Sequence, residues 1–159
     1  MPYYAWPCSG IYQNNNETVI LGNNRLAITD PLYQISGPMI TNDNNHAICY
    51  NGEIYDFKSH FKRFINKGIS FESKTDTEVL LYALVHWRER ALEKLNGMFA
   101  FAFFDNKEKC LLLARDRYGI KPLYVSVYNN SLYFASEQKA ILSVPSFKRV
   151  LNLSLIHIS

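Results

Sequence analysis

The chain has 159 residues, of which 48% are hydrophobic and 19% are charged, and this composition excludes an intrinsically disordered protein. The formal net charge of +3 is too small to indicate nucleic acid or a membrane surface as a partner, and no apolar run approaches the roughly 20 residues of a membrane span. The three cysteines contain no CxxC pair, so reduced thiols in a cytoplasmic protein are expected rather than disulfides or a metal site.

The first half of the chain is predicted to hold short strands followed by two helices. Strands are predicted at residues 18–21 and 25–28, joined by a turn at 22–24, and at residues 39–40 and 47–50. Residues 57–67 carry apolar side chains at helical spacing, and Gly68 is expected to end that helix. Thr75 is predicted to cap a second helix that runs from Asp76 to about residue 90, with Glu78 completing a capping box.

The second half of the chain is predicted to be mostly strand. The segments MFAFAFFD, KCLLLARD, PLYVSVY and SLYFAS follow one another with tight turns, including Asn129-Asn130, so antiparallel pairing is expected. Strands that are apolar on both faces need a cover on both sides. Together with the two helices, they predict an α+β fold layered as helix, sheet, sheet and helix, in one domain up to about residue 143.

The segment HAICYNGEIYDF places Asn51 and Gly52 where an apolar strand is expected to end. A carboxamide and a neighbouring backbone N–H are two hydrogen-bond donors. Such a pair can stabilise the oxyanion that forms during acyl transfer, and one donor of this kind contributes about 3 kcal/mol. Gly52 would also let the backbone approach a ligand closely. Asn-Gly is, however, the commonest hairpin signal, so these two residues alone are compatible with either a turn or an oxyanion hole.

The motifs on either side of Asn51-Gly52 occur in an order that points to one family. They are NNRLAITD, NGEIYDF, SKTDTEVLLYAL, LNGMFAFAFFD, LLLARDRYGIKPLY and FASEQKAIL. In this order they resemble the glutamine-hydrolysing domain of asparagine synthetases, class II glutamine amidotransferases of the N-terminal-nucleophile hydrolase superfamily. The resemblance covers residues 9 to 141 and implies a four-layer αββα sandwich, which we expect to be truncated here at its N-terminal end.

The resemblance also implies a glutamine site. Arg25 matches an arginine that pairs with the α-carboxylate of glutamine, and Asp76 matches an aspartate that holds the α-ammonium. Asn51 and Gly52 match the oxyanion hole, and Glu53 matches a residue that contacts glutamine. The rest of the RLAIT segment is expected to bind glutamine as well, namely Leu26, Ala27, Ile28 and Thr29. Without the resemblance, Arg25 would be an ordinary ion-pair residue and Asp76 an acid in the first turn of a helix.

The family's nucleophile is a cysteine at the very N-terminus, whose free α-amine acts as the base. This chain begins with Met1, and Cys8 stands where the resembled family has an aspartate. Cys49 and Cys110 are expected to be packing residues. We therefore expect the first strand and the nucleophile to be missing and the chain to be inactive alone.

The expected activity is the hydrolysis of glutamine to glutamate and ammonia. A C-terminal synthetase domain, expected to be missing, would use ATP and magnesium to amidate aspartate, whereas no cofactor and no metal are expected in this domain. Residues 1–143 are predicted to form the amidotransferase domain, 144–152 the start of a linker and 153–159 a non-native tail. The resemblance leaves a homodimer open. Two alternatives remain: the glutaminase domain of another amidotransferase, and a non-catalytic remnant that binds glutamine.

Overall fold

The computed structural model describes residues 7–14, 16, 18–26, 37–73, 75–145 and 147, with the backbone alone at residues 7–9 and 24–26. These residues belong to two compact units, one ending at Lys121 and the other beginning at Pro122. The strands are β1 Pro7–Gln13, β2 Ile20–Leu26, β3 Met39–Ile40, β4 His46–Ile54, β5 Gly97–Asp105, β6 Cys110–Arg115, β7 Tyr124–Tyr128 and β8 Ser131–Ala135. The helices are α1 Phe57–Ile65, α2 Asp76–Trp87 and α3 Gln138–Leu142, and a 3₁₀ turn at Arg88–Glu93 follows α2.

The β1–β2 hairpin differs from the prediction. The turn predicted at residues 22–24 is wrong, because β2 runs straight through it and pairs with β1, which was not predicted as a strand. Strand pairing here overrides the low strand propensity of Gly-Asn-Asn. The actual turn precedes β2, where the Asn14 side chain accepts hydrogen bonds from the N–H groups of Thr18 and Val19, both at 2.9 Å.

The core of the first unit is a four-stranded sheet in the order β3-β4-β5-β6, in which every pairing is antiparallel. The antiparallel pairing predicted for β5 with β6 is confirmed. Residues 99–105 of β5 are all buried. One face of the sheet packs against α1 and α2 in a cluster that includes Ile48, Phe101, Phe64 and Leu80. On the other face the ring of Phe104 lies 6.4 Å from that of Tyr12 in the hairpin. The prediction that this strand is covered on both sides is confirmed.

Both helices of the first unit lie close to their predicted positions. Gly68, at φ 82°, follows α1, and its N–H donates to the carbonyl of Ile65 at 2.8 Å, as expected of a glycine that ends a helix. The hydroxyl of Thr75 accepts from the N–H of Glu78 at 3.4 Å, so the predicted cap is confirmed.

The second half of the predicted capping box, in which the Glu78 side chain would bond to the backbone N–H of Thr75, is wrong. The carboxylate of Glu78 accepts from the N–H and the hydroxyl of Ser73, both at 2.6 Å, and from the N–H of Glu72 at 2.8 Å. It therefore holds the loop before α2 instead of reaching back to Thr75. The helix also ends earlier than predicted, at Trp87, because Arg88 adopts a positive φ of 54°.

The second unit contains β7, β8 and α3. The predicted turn at Asn129-Asn130 is confirmed, because both residues have positive φ, 48° and 58°, as a two-residue hairpin turn requires. The rings of Tyr128 and Tyr133 pack against Phe147 at 4.9 and 6.1 Å. Among all the described residues, no helix has both the length and the hydropathy to cross a membrane.

Candidate active site

The candidate site lies along one edge of β4. Asn51, Gly52 and Glu53 were expected after the end of a strand, but β4 continues through them to Ile54. β3 pairs only with residues 47 and 48, so among the described residues no strand covers this edge of β4 beyond Ile48. Polar groups of the later part of β4 therefore face outward along an open sheet edge.

The hydrogen-bond pattern shows which backbone groups face that edge. The N–H of Ile54 does not bond to β5 but donates to Asp76 Oδ2 at 3.1 Å. Opposite Gly52, Phe99 donates to Asp116 Oδ2 at 3.3 Å and accepts from the N–H of Asp116 at 2.7 Å. In an antiparallel pair the N–H and C=O of a residue point the same way, so Gly52 and Phe99 exchange no hydrogen bonds. The N–H of Gly52 therefore points to the open edge, on the same side as that of Ile54.

Asp76 stands at this edge as the first residue of α2. Its Oδ2 accepts from the N–H of Ile54 and, at 2.8 Å, from the hydroxyl of Tyr50. Oδ1 accepts no hydrogen bond from any described residue. A carboxylate at a helix N-terminus is stabilised by the helix dipole. The arrangement thus fixes the carboxylate while leaving one oxygen open to a cation at the edge.

Asn51 and Glu53 present exposed side chains on the other face of β4, because successive residues of a strand alternate between faces. Cys49 shares this face, and its Sγ donates to the carbonyl of Gly22 at 3.4 Å, which places the β1–β2 hairpin there. A ligand at the edge could thus meet the carboxamide of Asn51 from one face and Asp76 from the other.

The remaining predicted binding residues belong to β2 and the segment after it. The backbone of Arg25 pairs with Cys8 and that of Leu26 with Pro7, on the hairpin side of the sheet. The side chains of Arg25 and Leu26, and the whole of Ala27, Ile28 and Thr29, lie outside the described residues. The structure therefore brings Asn51, Gly52, Glu53 and Asp76 to one edge, and the convergence of residues 25–29 on it stays a prediction.

Gly52 has a structural reason to be glycine besides the predicted approach of a ligand. A Cβ at this position would lie 2.2 Å from the carbonyl oxygen of Met98 and 2.7 Å from Cα of Phe99. A Cβ at Gly97, beside it on β5, would lie 2.2 Å from the carbonyl oxygen of Glu53. The two glycines allow β4 and β5 to approach closely where the site is built.

Asp116 organises the loop after β6 that supports the site from behind β5. Besides Phe99, its carboxylate accepts from the N–H groups of Tyr118 at 3.1 Å and of Ile120 and Lys121 at 3.0 Å. Burial tends to raise the pKa of Asp116, but these donors outweigh it and hold the pKa below its usual value. Asp116 therefore has a structural role in this loop.

The cysteines fall into different environments. Cys49 is largely enclosed, and burial raises the pKa of its thiol to about 12, so it carries no thiolate at neutral pH. Cys110 is exposed at the start of β6, and the prediction that it packs in the interior is wrong. The side chain of Cys8 lies outside the described residues.

Sequence reasoning missed Tyr50 and the N–H of Ile54 as partners of Asp76. A signal for Tyr50 was present, since a tyrosine in an apolar strand usually needs a hydrogen-bond partner for its hydroxyl. The backbone contact of Ile54 leaves no trace in the sequence.

Comparison with solved structures defines the class of fold. Glutamine phosphoribosylpyrophosphate amidotransferase from B. subtilis, in complex with ADP and GMP, matches at a TM-score of 0.57 and 23% identity. The match covers 76% of this chain and 28% of that one. The allosteric regulatory enzyme of purine biosynthesis matches at a TM-score of 0.55 and 24% identity, over 65% of this chain and 24% of the other. The chain thus shares its fold with these two proteins.

The chain belongs to the glutamine amidotransferase domain family, whose model matches residues 8–158. It is 41% identical to glutamine-hydrolysing asparagine synthetase 3 of Bacillus subtilis over 135 residues, which are 82% of this chain and 21% of the relative. It is 35% identical to glutamine-hydrolysing asparagine synthetase B of Escherichia coli over 86% of this chain and 24% of the relative. The chain therefore spans less than a quarter of the length of these relatives.

Proposed function

We propose that this chain is the glutaminase domain of a glutamine-hydrolysing asparagine synthetase and that glutamine binds at the open edge of β4. The observation that carries the proposal is the state of Asp76. Its Oδ2 is held by two donors and its Oδ1 accepts from none of the described residues, at the edge to which the N–H of Gly52 also points. The names of the relatives support glutamine as the ligand.

In the proposed complex the glutamine zwitterion is recognised at both charges. Asp76 Oδ1 accepts from the α-ammonium, and Arg25 pairs with the α-carboxylate, a geometry that suits a planar guanidinium. Leu26, Ala27, Ile28 and Thr29 line the same side of the ligand, and Glu53 contacts it from the exposed face of β4. The side-chain amide then lies against Asn51 and Gly52.

The chemistry proposed for this edge is acyl transfer. A thiolate adds to the carbonyl carbon of the glutamine side chain, and the carbonyl oxygen becomes an oxyanion. The carboxamide of Asn51 and the N–H of Gly52 donate to that oxygen, and each donor stabilises the transition state by about 3 kcal/mol. The amide nitrogen takes up the proton that the thiol gave up and leaves as ammonia. Water then hydrolyses the thioester to give glutamate and the free thiol.

The thiolate is proposed to come from an N-terminal cysteine, which the 159-residue chain does not carry. Cys49 is an unsuitable substitute, because burial raises its pKa to about 12 and its residue lies inside β4. The chain by itself is therefore proposed to bind glutamine without hydrolysing it.

The remaining features of the proposal concern the whole protein. A C-terminal synthetase domain would bind ATP and magnesium and pass ammonia to activated aspartate, in a cytoplasmic enzyme that can form a homodimer. The amidotransferase domain itself, residues 1–143, is proposed to be a four-layer αββα sandwich with no metal or cofactor of its own. Residues 144–152 would begin the linker, and residues 153–159 would be a non-native tail.

A second candidate is the glutaminase domain of an amidotransferase with another acceptor. One relative, amidase chry2 of Gibberella zeae, is 33% identical over 84% of this chain and 20% of its own length. The two candidates share the glutamine site and differ in the acceptor, so aspartate dependence of amide formation by the full-length enzyme separates them.

A glutamate-release assay tests the glutaminase assignment. The 159-residue chain is expected to show no turnover, and a version preceded by the N-terminal segment with its leading cysteine is expected to be active. The expected difference is a factor of about 10⁴ to 10⁶, as for the loss of one member of a catalytic unit. In the active version, Asp76→Asn should raise KM for glutamine, while Glu89→Gln, the same loss of charge at an exposed residue, should not. Turnover by the short chain that Cys8→Ala abolishes would show that the nucleophile is wrongly assigned.

A further inference from the structure

Tyr50 connects the core of the first unit to Asp76. Its residue lies in the middle of β4, and its ring packs against the hydrophobic cluster beneath α1 and α2. Its hydroxyl lies 2.8 Å from Asp76 Oδ2. Because an ionised carboxylate can only accept, the hydroxyl is the donor in this hydrogen bond. Nothing in the motifs that define the family resemblance assigned a role to this side chain.

We infer that Tyr50 is a positioning residue that orients Asp76 for the ammonium group of the ligand, an inference that rests on the proposed function. The hydroxyl of Tyr50 and the N–H of Ile54 both donate to Oδ2, one from a ring anchored in the core and the other from the strand backbone. Two fixed donors on one oxygen stop the carboxylate from rotating about its terminal torsion. The other oxygen, Oδ1, accepts no hydrogen bond from the described residues and is left for the ligand. A carboxylate that is already fixed before the ligand arrives lowers the entropic cost of binding.

The hydrogen bond is not needed to cap α2. Thr75 caps the helix by accepting from the N–H of Glu78, and the Glu78 carboxylate holds the preceding loop through Ser73. A carboxylate that served only as a first-turn acid would need no second donor from a neighbouring strand. The pairing of Tyr50 with Asp76 therefore fits a role in ligand binding better than a role in helix initiation.

Tyr50→Phe tests the inference, because it keeps the ring in the core and removes only the hydroxyl. Binding of L-glutamine and of 4-carbamoylbutanoate, which is glutamine without the α-amine, is measured by titration calorimetry on the 159-residue chain. The variant should bind L-glutamine about 3- to 10-fold more weakly, the scale of one ordinary hydrogen bond, and should bind 4-carbamoylbutanoate as well as before. Tyr118→Phe, at a tyrosine that is 90% exposed, is the matched control and should change neither affinity.

Each other outcome has a distinct meaning. An unchanged or tighter affinity for L-glutamine in Tyr50→Phe would overturn the inference and leave the proposed function intact. Equal weakening of both ligands would show a general packing role and would overturn it as well. Failure of the folded unaltered chain to bind L-glutamine would overturn the proposed function together with the inference.

A second measurement needs no variant and covers the case in which Tyr50→Phe does not fold. The ring ¹³Cζ resonance of Tyr50 should shift on saturation with L-glutamine. The bound ammonium group changes the charge distribution of the Asp76 carboxylate, to which the Tyr50 hydroxyl donates. The resonance should stay in place with 4-carbamoylbutanoate. A shift of the same size with both ligands would contradict a role specific to the ammonium group.

Discussion

Replacement of Gly52 by alanine tests whether β4 and β5 are as close at the site as the structure shows. The new Cβ would lie 2.2 Å from the carbonyl oxygen of Met98 and 2.7 Å from Cα of Phe99. Both obstacles are backbone atoms in β5, and β5 cannot retreat easily, because residues 99–105 are buried and Phe99 is bonded to Asp116 through both backbone groups. A side-chain rotation therefore cannot relieve the contact.

The cost can be estimated from these distances. Ordinary van der Waals contact begins at 3.4 Å, so the strands must separate by roughly 1 Å, a change typical of overpacked cores that cost about 1–3 kcal/mol. In a chain of this length each kcal/mol lowers Tm by about 2–4 °C, so Gly52→Ala should lower Tm by roughly 2 to 12 °C.

Thermal unfolding followed by circular dichroism measures this loss, with Gly22→Ala as the matched control. Gly22 also lies in a strand, but no atom lies within 4 Å of the position that its added methyl group would take, so its replacement should leave Tm unchanged or slightly higher. If Gly52→Ala and Gly22→Ala have the same Tm to within about 1 °C, a difference below the scale of a core perturbation, the close approach of β4 and β5 is wrong.

Two further predictions concern groups whose ionisation the structure shifts. Because the folded state lowers the pKa of Asp116, its carboxylate stabilises the fold above the unfolded pKa of about 3.9 and loses that effect as pH falls through the lower folded pKa. Asp116→Asn should therefore have a lower Tm than the unaltered chain at pH 7, with a smaller gap near pH 3; a gap that is constant with pH would contradict the role of the charge. Iodoacetamide should alkylate the exposed Cys110 well before Cys49, whose pKa is raised by burial to about 12, as peptide mass spectrometry can show. Equal rates at the two thiols would mean that Cys49 is not enclosed in solution.

The elements that could be predicted from the sequence are those whose signals are local. Thr75 and Gly68 mark helix ends through the chemistry of their own positions, and Asn129-Asn130 marks a hairpin through its tolerance of positive φ. β2 was predicted wrongly because Gly22 and its asparagine neighbours look like a turn, whereas their strand conformation comes from pairing with β1. That pairing is a tertiary fact which a local pattern does not contain.

The site shows the same division. The NGE motif and Asp76 could be chosen from the sequence by resemblance, and the structure places them at one edge of β4. The reason Gly52 faces that edge could not be predicted, because it depends on which pairs in the β4–β5 register exchange hydrogen bonds. The contact between Tyr50 and Asp76 could not be predicted either, because the two residues lie 26 positions apart in the sequence.

The most direct test of the proposed glutamine site is a residue-resolved titration of the ¹⁵N-labelled chain with L-glutamine. We expect saturable shifts that are largest for the backbone amides of Gly52, Ile54 and Asp76, whose groups border the open edge of β4. A concave region of about 220 Å³, between β3 and α2 and lined by residues such as Met39, Leu81 and Tyr82, serves as the internal comparison. Shifts that concentrate there, or a folded chain with no saturable shift at all, would contradict the claim that the edge of β4 is the glutamine site.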